Sequence, residues 1–186
     1  SYGCDGKQAA SGHGTAVASL IVGRSERFHG AAPGAELFAA DVYCGQPTGG
    51  AVDAVADAFA WLSRERVPVI NVSLVGPPNV TLENVIRIVN ARGHLVVAAV
   101  GNDGAAAKPL YPAAYPGVVG VTAVDSRRRA LVEAGRGSQV DLAAPGADIA
   151  AAGAGQTYAA VRGTSFAAPI VAGLLASPTT SSATPP

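Results

Sequence analysis

The 186-residue sequence predicts one α/β domain, built on a mostly parallel sheet that helices cover on both faces. Three observations lead to this fold class. Apolar runs of strand length alternate with helix-length patterns, as they do in βαβ units. Hydrophobic residues make up 49% of the chain and charged residues 14%, which is typical of a fold with a large core. The length suits a single core rather than two.

Each predicted element rests on a local pattern. Uniformly apolar sequence predicts a helix that is buried on all sides. Periodic apolar residues predict amphipathic helices, and short apolar runs predict strands. Because predicted strands and helices alternate, we expect two βαβ crossovers. Gly- and Ala-rich sequence predicts short strands and turns, and SPTTSSATPP predicts a linker or frayed tail. In chain order these are the buried helix within 11–23, a strand at 37–43, a helix at 51–67, a strand at 68–74, a helix at 82–93, strands at 94–100 and 118–124, the turn-rich stretch 133–157, and the tail 177–186 after a domain of residues 1–176.

Charge and cysteine content exclude several classes of protein. With 13 basic and 13 acidic residues the formal net charge is zero, so no basic field draws the chain to nucleic acid or anionic lipid. No apolar run approaches the roughly 20 residues of a membrane-spanning helix. Cys4 and Cys44 form no CxxC pair, which leaves metal and redox motifs without support. A disulfide between them, which would favour an exported protein, and two buried thiols both remain open.

Three polar residues stand where parallel sheets gather catalytic groups, beyond the carboxyl ends of strands and at helix starts. His13 lies between two glycines, which permit another chain to approach it closely. Asn102 follows a buried strand and is placed to donate an amide hydrogen bond to a developing negative charge. Ser165 begins a helix, whose free N–H groups favour an oxyanion. Taken singly, each also has a structural explanation: a core histidine, a turn asparagine and a helix N-cap.

Two competing motifs are absent, and two other histidines carry no signal. The GxSxG motif of α/β-hydrolases is missing, because Ser165 stands in Gly-Thr-Ser-Phe-Ala. A GxGxxG dinucleotide site also fails, because GHGTAV has valine where the third glycine belongs. His29 and His94 lack flanking glycines, and we interpret both as structural.

Taken together, the three sites resemble the ordered motifs of the subtilisin-like serine proteases. These motifs are Gly-His-Gly-Thr at His13, Gly-Asn at Asn102, and Gly-Thr-Ser at Ser165 with a small-residue helix that contains Pro169. The resemblance covers nearly the whole chain in the family's order. Its blocks are GTAVASL (14–20), GAAPGAEL (30–37), VINVSLVG (69–76), VVAAVGNDG (96–104), YPAAYPGVVGVTAVD (111–125), LAAPGADI (142–149) and GTSFAAPIVAG (163–173).

The resemblance implies a subtilisin-like three-layer fold and a serine endopeptidase that acts through an acyl-enzyme. It implies that Ser165 is the nucleophile, His13 the general base and then acid, and Asn102 the oxyanion donor together with the Ser165 N–H. It also implies a polypeptide substrate, no cofactor, a secreted or periplasmic location and a cis Tyr111–Pro112 bond. The implied substrate-binding residues are Ser73, Leu74 and Val75, which pair with an extended peptide, and Ala99, Val100 and Gly101, which form a wall of the first specificity pocket.

The family's aspartate, which belongs to an Asp-Ser/Thr-Gly motif before the histidine, has no counterpart here. Asp5 lies too close to His13 to match, and Asp41 follows the histidine. The chain also has no methionine and starts at SYGCDGK. We therefore expect a subtilisin-like fold that is incomplete at the N-terminus, from a fragment of an active protease, either a cleaved protease whose separate N-terminal fragment supplies the aspartate or a truncated chain. The alternative is a degenerate relative, which would be an inactive pseudoprotease or a peptide-binding fragment.

Two smaller departures concern the substrate cleft and cations. Val75 stands where the family commonly has glycine, which would narrow the cleft. The loop at 24–29 lacks the carboxylate- and amide-rich insertion that binds calcium in many members, so no strong calcium site is expected there. A weak structural cation, held by backbone carbonyls near Ala113 to Val118, is the remaining metal prediction.

Overall fold

The structure is a computed structural model that describes residues 1–3, 10–43, 45, 50–153 and 157–177. Across these residues, four parallel strands form a sheet in the order β1-β2-β3-β4, and β5 and β6 form a separate antiparallel pair. The α/β class expected from the sequence is therefore confirmed. In chain order the elements are α1 (Gly12–Val22), α2 (Val52–Arg64), β1 (Val69–Val72), α3 (Val80–Ala91), β2 (Leu95–Ala99), β3 (Val118–Val124), β4 (Leu142–Pro145), β5 (Ile149–Ala152), β6 (Tyr158–Val161) and α4 (Thr164–Ala176).

The central βαβ unit runs from β1 through α3 to β2. Asn79 caps α3, because its side-chain oxygen accepts a hydrogen bond from the Leu82 N–H at 3.1 Å. The helix returns the chain so that β2 pairs with β1 in parallel, with Val72 opposite Ala98. β3 and β4 continue the sheet in the same direction. The carboxyl ends of all four strands consequently meet at one edge.

Helices cover both faces of the sheet and give it three layers. One core packs α2 and α3 against one face, and a second core packs α4 against the other. β2 contributes to both: Val96 belongs to the first core and Val97 to the second, and neither has any exposed surface. Burial on both faces explains why this strand is apolar without alternation.

α1 is not buried on all sides, so that prediction is wrong. The buried residues of this helix are Ala16, Ser19 and Leu20. Val17 and Ile21 instead line a cavity of about 900 Å³, which also reaches α2 and β1. The apolar sequence is thus not matched by full burial, because no element in the described part of the chain covers this side of α1.

The strand predicted at 37–43 is also absent, and the first predicted βαβ unit is absent with it. Among the described residues this segment makes one isolated parallel bridge, between Tyr2 and Ala40. In that bridge the Tyr2 N–H donates to the Ala39 carbonyl and the Asp41 N–H donates to the Tyr2 carbonyl, each at 2.8 Å. A longer ladder requires a neighbouring strand, and within the described ranges β1 pairs only with β2. The other edge of β1 is open there and borders the cavity.

Some sequence-based predictions fall outside the described residues. Cys4 and Cys44, and with them the disulfide, lie outside, as does Asp5. Of the predicted tail, residues 178–186 lie outside, whereas Ser177 is the residue that ends α4. The boundary between the domain and the tail therefore stays a prediction.

Other predictions fall on described residues. The Tyr111–Pro112 bond is cis, as the resemblance implies. His94 is structural, as expected, because its ring nitrogens lie 3.0 Å from Ser63 Oγ and 2.7 Å from the Val67 carbonyl oxygen. No helix in the described parts of the chain is both long enough and apolar enough to cross a membrane.

The packing of α3 gives a direct test of the first core. Ile86 has no exposed surface, so Ile86→Ala is expected to lower the free energy of unfolding by about 2–5 kcal/mol, through lost contacts and the cavity left behind. Ile88→Ala is the matched control in the same helix: Ile88 is 43% exposed, and the expected loss is below about 1 kcal/mol. Urea unfolding followed by circular dichroism measures both, and equal losses would contradict the packing described.

Candidate active site

The candidate active site lies at the carboxyl edge of the sheet, where β1 and β2 end and α4 begins. Thr164, the first residue of α4, is fully buried and joins these elements. Its Oγ1 accepts a hydrogen bond from the Gly101 N–H at 3.2 Å, and its own N–H donates to Asn102 Oδ1 at 3.0 Å. Because Gly101 and Asn102 are the second and third residues after β2, one threonine fixes the start of the helix against the end of the strand.

Gly163 forms the turn into α4. Its φ of +130° lies in the left-handed range, where glycine is favoured. A Cβ at this position would lie 3.1 Å from Asn102 Nδ2, so glycine also leaves room for the amide. The Gly163 N–H donates to the Gly146 carbonyl at 2.8 Å, which ties the turn to the loop after β4. The turn therefore delivers Ser165 into the first turn of the helix.

Ser165 is half-buried, and its backbone is held from the side of β1. Pro169 lacks the N–H that would otherwise bond the Ser165 carbonyl four residues earlier in the helix. Ser73 Oγ donates to that carbonyl instead, at 2.8 Å, and itself accepts a hydrogen bond from Asn71 Nδ2 at 3.0 Å. The proline inside α4 thus leaves the Ser165 carbonyl free to accept a hydrogen bond from Ser73, the residue that follows β1, and this bond positions the serine.

Asn102 is oriented by the same network. Its Oδ1 accepts from the Thr164 N–H, which identifies the other terminal atom of the amide as the Nδ2 donor group. Asn102 is exposed, so this donor group is accessible from solvent. The Ser165 N–H belongs to the first turn of α4, whose N–H groups have no acceptor within the helix. An amide donor beside such an N–H is able to stabilise an oxyanion.

His13 lies in the first turn of α1, which Ser11 caps by accepting a hydrogen bond from the Gly14 N–H at 2.9 Å. Its ring packs against Phe166, with 5.3 Å between the ring centroids, and therefore lies beside the residue that follows Ser165. No hydrogen bond joins His13 to Ser165 among those of the described residues. Catalytic hydrogen bonds are often long without substrate, so this arrangement is compatible with a base and its nucleophile.

Burial lowers the pKa of His13 below its ordinary value of 6.5. The residue keeps exposed surface, but covering the ring disfavours its charged form. Within the described chain, no carboxylate counteracts this effect on the pKa. The imidazole is consequently neutral at pH 7, which is the state that a general base requires.

Ser73, Leu74 and Val75, predicted to pair with substrate, leave β1 at the carboxyl edge. Ser73 has a second role that the sequence does not indicate, because its side chain holds the Ser165 carbonyl. Val75 is 42% exposed and stands at the rim of the site. Their contact with a substrate stays a prediction.

Ala99, Val100 and Gly101, predicted to form a pocket wall, follow the same edge on β2. Ala99 is fully buried and Val100 is 1% exposed, with their side chains in the two cores. The Gly101 carbonyl accepts a hydrogen bond from the Gly135 N–H at 2.9 Å, which holds the backbone here. A wall formed by these residues would present backbone rather than side chains, and this role too stays a prediction.

Three residues that position the site escape the sequence analysis: Asn71, Thr164 and Phe166. An asparagine within the apolar strand VINV and a hydroxyl in front of a core helix are signals, because buried polar groups need partners. The sequence does not say which partners they find. Phe166 gives no such signal, since an aromatic residue in a core helix is ordinary.

The segment predicted to hold a weak cation is folded by its own hydrogen bonds. The Tyr115 N–H donates to the Pro112 carbonyl at 3.0 Å, and the Val118 N–H donates to the Tyr115 carbonyl at 3.2 Å. Over the residues that the structure describes, no group of three His, Cys, Asp or Glu side chains is placed to hold a metal ion. A cation bound by carbonyls alone stays a prediction.

Comparison with known proteins adds an independent line of evidence. The sequence matches the subtilase family, peptidase S8, over residues 2–183. It is 38% identical over 172 residues to M-protease of Shouchella clausii (strain KSM-K16), which covers 91% of this chain and 45% of M-protease. It is also 38% identical over 172 residues to Subtilisin Savinase of Lederbergia lenta, covering 91% of this chain and 63% of that protein. The chain thus spans about half the length of the first of these relatives and less than two thirds of the second.

The fold is similar to that of solved proteases. The structure of the prenylagaramide maturation protease PagA matches with a TM-score of 0.83 and 30% sequence identity, over 89% of this chain and 62% of that one. The matched residues include the motifs at His13, Asn102 and Ser165 that the structure gathers at one edge of the sheet. This chain belongs to the subtilase family.

Proposed function

We propose that this chain carries the nucleophile, the base and the oxyanion hole of a subtilisin-type serine endopeptidase. The observation that carries the proposal is the pair of hydrogen bonds made by Thr164, which joins the Asn102 amide to the first turn of α4. Ser165 stands in that turn, and His13 packs against the next residue. Nucleophile, base and oxyanion donors therefore share one small region.

The proposed reaction follows from these positions. Ser165 Oγ attacks the carbonyl carbon of a peptide bond while His13 accepts the hydroxyl proton. The carbonyl oxygen becomes an oxyanion, to which Asn102 Nδ2 and the Ser165 N–H donate hydrogen bonds. His13 then gives its proton to the leaving amine, and an acyl-enzyme remains on Ser165. Water, deprotonated by His13, releases the acid and restores the serine.

The proposed substrate is an extended polypeptide that adds beside Ser73–Val75. This segment leaves β1 next to the nucleophile, and Val75 is exposed at its end. Strand addition draws its affinity from main-chain hydrogen bonds, so it suits a protease that meets many sequences.

We propose further that a separate N-terminal segment adds beside β1 and brings a carboxylate to His13. Within the described residues, the edge of β1 away from β2 is open, and a cavity of about 900 Å³ runs along it. Val17 and Phe59 give this cavity apolar walls, and His13 and Asn71 line it as well. Asn71 Oδ1 is buried without a hydrogen-bond partner among the described residues, and an incoming backbone N–H would satisfy it. A carboxylate in this place would orient the imidazole and stabilise its charged form.

The second candidate function is peptide binding without turnover, as a pseudoprotease. One observation favours it: among the described residues, no carboxylate acts on the pKa of His13. Without such a group the imidazole lacks a partner that fixes its tautomer. The cleft beside Ser73–Val75 would still accept an extended chain.

The proposed location is outside the cytoplasm, as a secreted or periplasmic protein. The support comes from Cys4 and Cys44: a disulfide between them, one of the two states that the sequence leaves open, would persist only in an oxidising compartment. The predicted weak cation near Ala113 to Val118 belongs to the same proposal, as a structural ion and not as a participant in the reaction.

Labelling by a fluorophosphonate separates the two functions. In the protein as its gene encodes it, Ser165 is expected to react, because the reagent modifies a serine that a base activates. The present chain by itself, without the proposed carboxylate, is expected to react about 10⁴-fold more slowly. Mass spectrometry of the labelled peptide identifies the site.

Two variants control this experiment. Ser165→Ala is expected to abolish labelling, whereas Ser177→Ala, the same substitution at the other end of α4, is expected to preserve it. If the gene-encoded protein is not labelled at all, the endopeptidase proposal fails and the peptide-binding function stands.

The protonation of His13 gives a second test. In the present chain the ring is expected to titrate with a midpoint below 6.5, because burial disfavours its charged form. Adding the proposed carboxylate segment is expected to move the midpoint upward, since a nearby negative charge favours the imidazolium. Proton NMR of the ring hydrogens, assigned by their loss in His13→Gln, measures both midpoints. A midpoint at or above 6.5 in the present chain would contradict the burial described, and His29→Gln should leave the His13 titration unchanged.

Thr164 tests the joint between β2 and α4. Thr164→Val keeps the shape of the side chain but leaves the Gly101 N–H buried without an acceptor, at a cost of about 1–3 kcal/mol. The Thr164 N–H that bonds the Asn102 amide is kept, but the lost bond loosens the backbone at Gly101, which precedes Asn102, so the labelling rate of Ser165 is expected to fall at least about tenfold. Thr164→Ser retains the hydroxyl and is expected to keep most of the rate. If Thr164→Val reacts as fast as the parent protein, the threonine does not position the site.

A further inference from the structure

The loop that carries Asn102 away from β2 has a glycine at each end. Gly101 and Gly104 both have a φ of +95°, in the left-handed region that favours glycine. Glycine also has the greatest backbone freedom of all residues, so the loop at 101–104 contributes little to fixing its own shape. Asn102 is exposed, and core packing does not hold its amide. The orientation of this side chain therefore depends on contacts from outside the loop.

A second backbone segment, which starts at Glu133, holds both ends of this loop. The Gly104 N–H donates to the Glu133 carbonyl at 2.8 Å, and the Gly135 N–H donates to the Gly101 carbonyl at 2.9 Å. A Cβ built on Gly135 would lie only 2.8 Å from the Val100 carbonyl oxygen, so the two segments are in close backbone contact. The position of the loop consequently follows the position of Glu133.

The Glu133 side chain in turn is bound by Arg162. Arg162 Nε donates to Glu133 Oε1 at 2.6 Å and Arg162 Nη2 donates to Glu133 Oε2 at 3.1 Å, so the ion pair is bidentate. Such a pair fixes the relative orientation of its partners as well as their distance. Arg162 lies two residues before Thr164, whose N–H bonds Asn102 Oδ1. The contacts thus form a closed ring around the Asn102 amide, and in this ring the Arg162–Glu133 pair is the link made by two side chains.

The exposure of the pair indicates that it contributes little to stability. The Arg162 side chain is 49% exposed and the Glu133 side chain 27% exposed. Ion pairs in contact with solvent add little to the free energy of unfolding, because water screens the charges and the side chains lose conformational freedom. A bidentate pair in this place is better explained by the loop that it holds.

We propose that Arg162 and Glu133 are positioning residues of the protease, which hold the loop at 101–104 so that the Asn102 amide points at the oxyanion. This inference rests on the proposed endopeptidase function. Neither residue donates to the reacting atoms in the proposed reaction, and both act through Asn102. Without the ion pair, the loop stays bonded to the segment at Glu133, but that segment is no longer fixed to the turn before α4. The amide then loses part of its preorganisation, on which the value of an oxyanion donor depends.

The expected size of the effect follows from the cost of misplacing a catalytic group. A displacement of about 1 Å can cost about 100-fold in rate. Removal of the pair leaves the Thr164 bond to the Asn102 amide in place, so kcat is expected to fall by about 10- to 100-fold. KM is expected to stay within about twofold, because the segment at 73–75, proposed to bind the substrate, is not part of the ring.

The experiment measures kcat and KM for one fluorogenic peptide amide, with the protein as its gene encodes it. Arg162→Ala and Glu133→Gln each disrupt the ion pair and leave the Glu133 backbone carbonyl in place. Both are expected to lower kcat to a similar extent, because each leaves the other partner without its bidentate contact.

Arg129→Ala is the matched control. Arg129 forms an ion pair with Asp125 at 2.8 Å, and its side chain is 68% exposed. This pair lies within the turn after β3 and does not belong to the ring, so kcat is expected to be unchanged. Urea unfolding of the same variants is expected to give similar midpoints, which separates a loss of kcat from a loss of folded protein.

A second measurement repeats Arg162→Ala and Glu133→Gln in a protein that carries Asn102→Ala. Because the amide to be positioned is then absent, each further substitution is expected to change kcat by less than about twofold. An equal loss with and without the amide would show that the pair acts independently of Asn102, and would overturn the inference.

The other outcomes are also decisive. An unchanged kcat in either single variant, or a loss confined to KM, overturns the inference, while the endopeptidase function stands. If the parent protein cleaves neither this peptide nor an unfolded protein, the proposed function itself fails, and this inference fails with it.

Discussion

The site depends on a joint between a strand and a helix that Thr164 makes from inside the core. A hydroxyl without a partner would destabilise the fold, and here it accepts a hydrogen bond from the N–H of Gly101, the second residue beyond β2. The adjacent N–H fixes the Asn102 amide. Because both bonds come from one buried residue, the donors of the proposed oxyanion hole are placed by the same packing that holds the sheet. Such donors need no reorganisation when charge develops, which is the source of their catalytic value.

Small residues let this joint form. α4 presents alanine and glycine to the sheet, among them Ala167 and Ala168, which have no exposed surface. The helix therefore lies close to β2 and β3, and its first turn meets the carboxyl edge. Pro169 removes one hydrogen bond from α4, and the Ser73 hydroxyl replaces it from β1. The hydrogen bond that α4 lacks is thus replaced by a contact between two elements that are distant in sequence.

The sequence predicts the elements that a local pattern of apolar residues is sufficient to define. Val118–Val124 is a strand at the predicted bounds, and α3 and β2 differ from their predicted bounds by one or two residues at each end. The predictions are wrong where an element depends on a neighbouring element. Residues 37–43 have the composition of a strand, but within the described chain no neighbouring strand forms a ladder with them. Helix α1 is apolar on a side that no described element covers. His13, Asn102 and Ser165 could be nominated from the sequence because family motifs mark them, and their catalytic roles stay predictions. The contacts of Thr164 and Phe166 could not be predicted, because they join elements that are distant in sequence and no local pattern encodes them.

In the proposed enzyme, the open edge of β1 connects catalysis with the completion of the fold. A parallel edge beside an apolar cavity invites pairing with other chains, and proteins ordinarily cover such edges. In the proposed enzyme, the segment that brings the carboxylate would also cover this edge and fill the cavity. A molecule without it would be both nearly inactive and prone to self-association. Folding and activation of the proposed enzyme would then depend on the same segment.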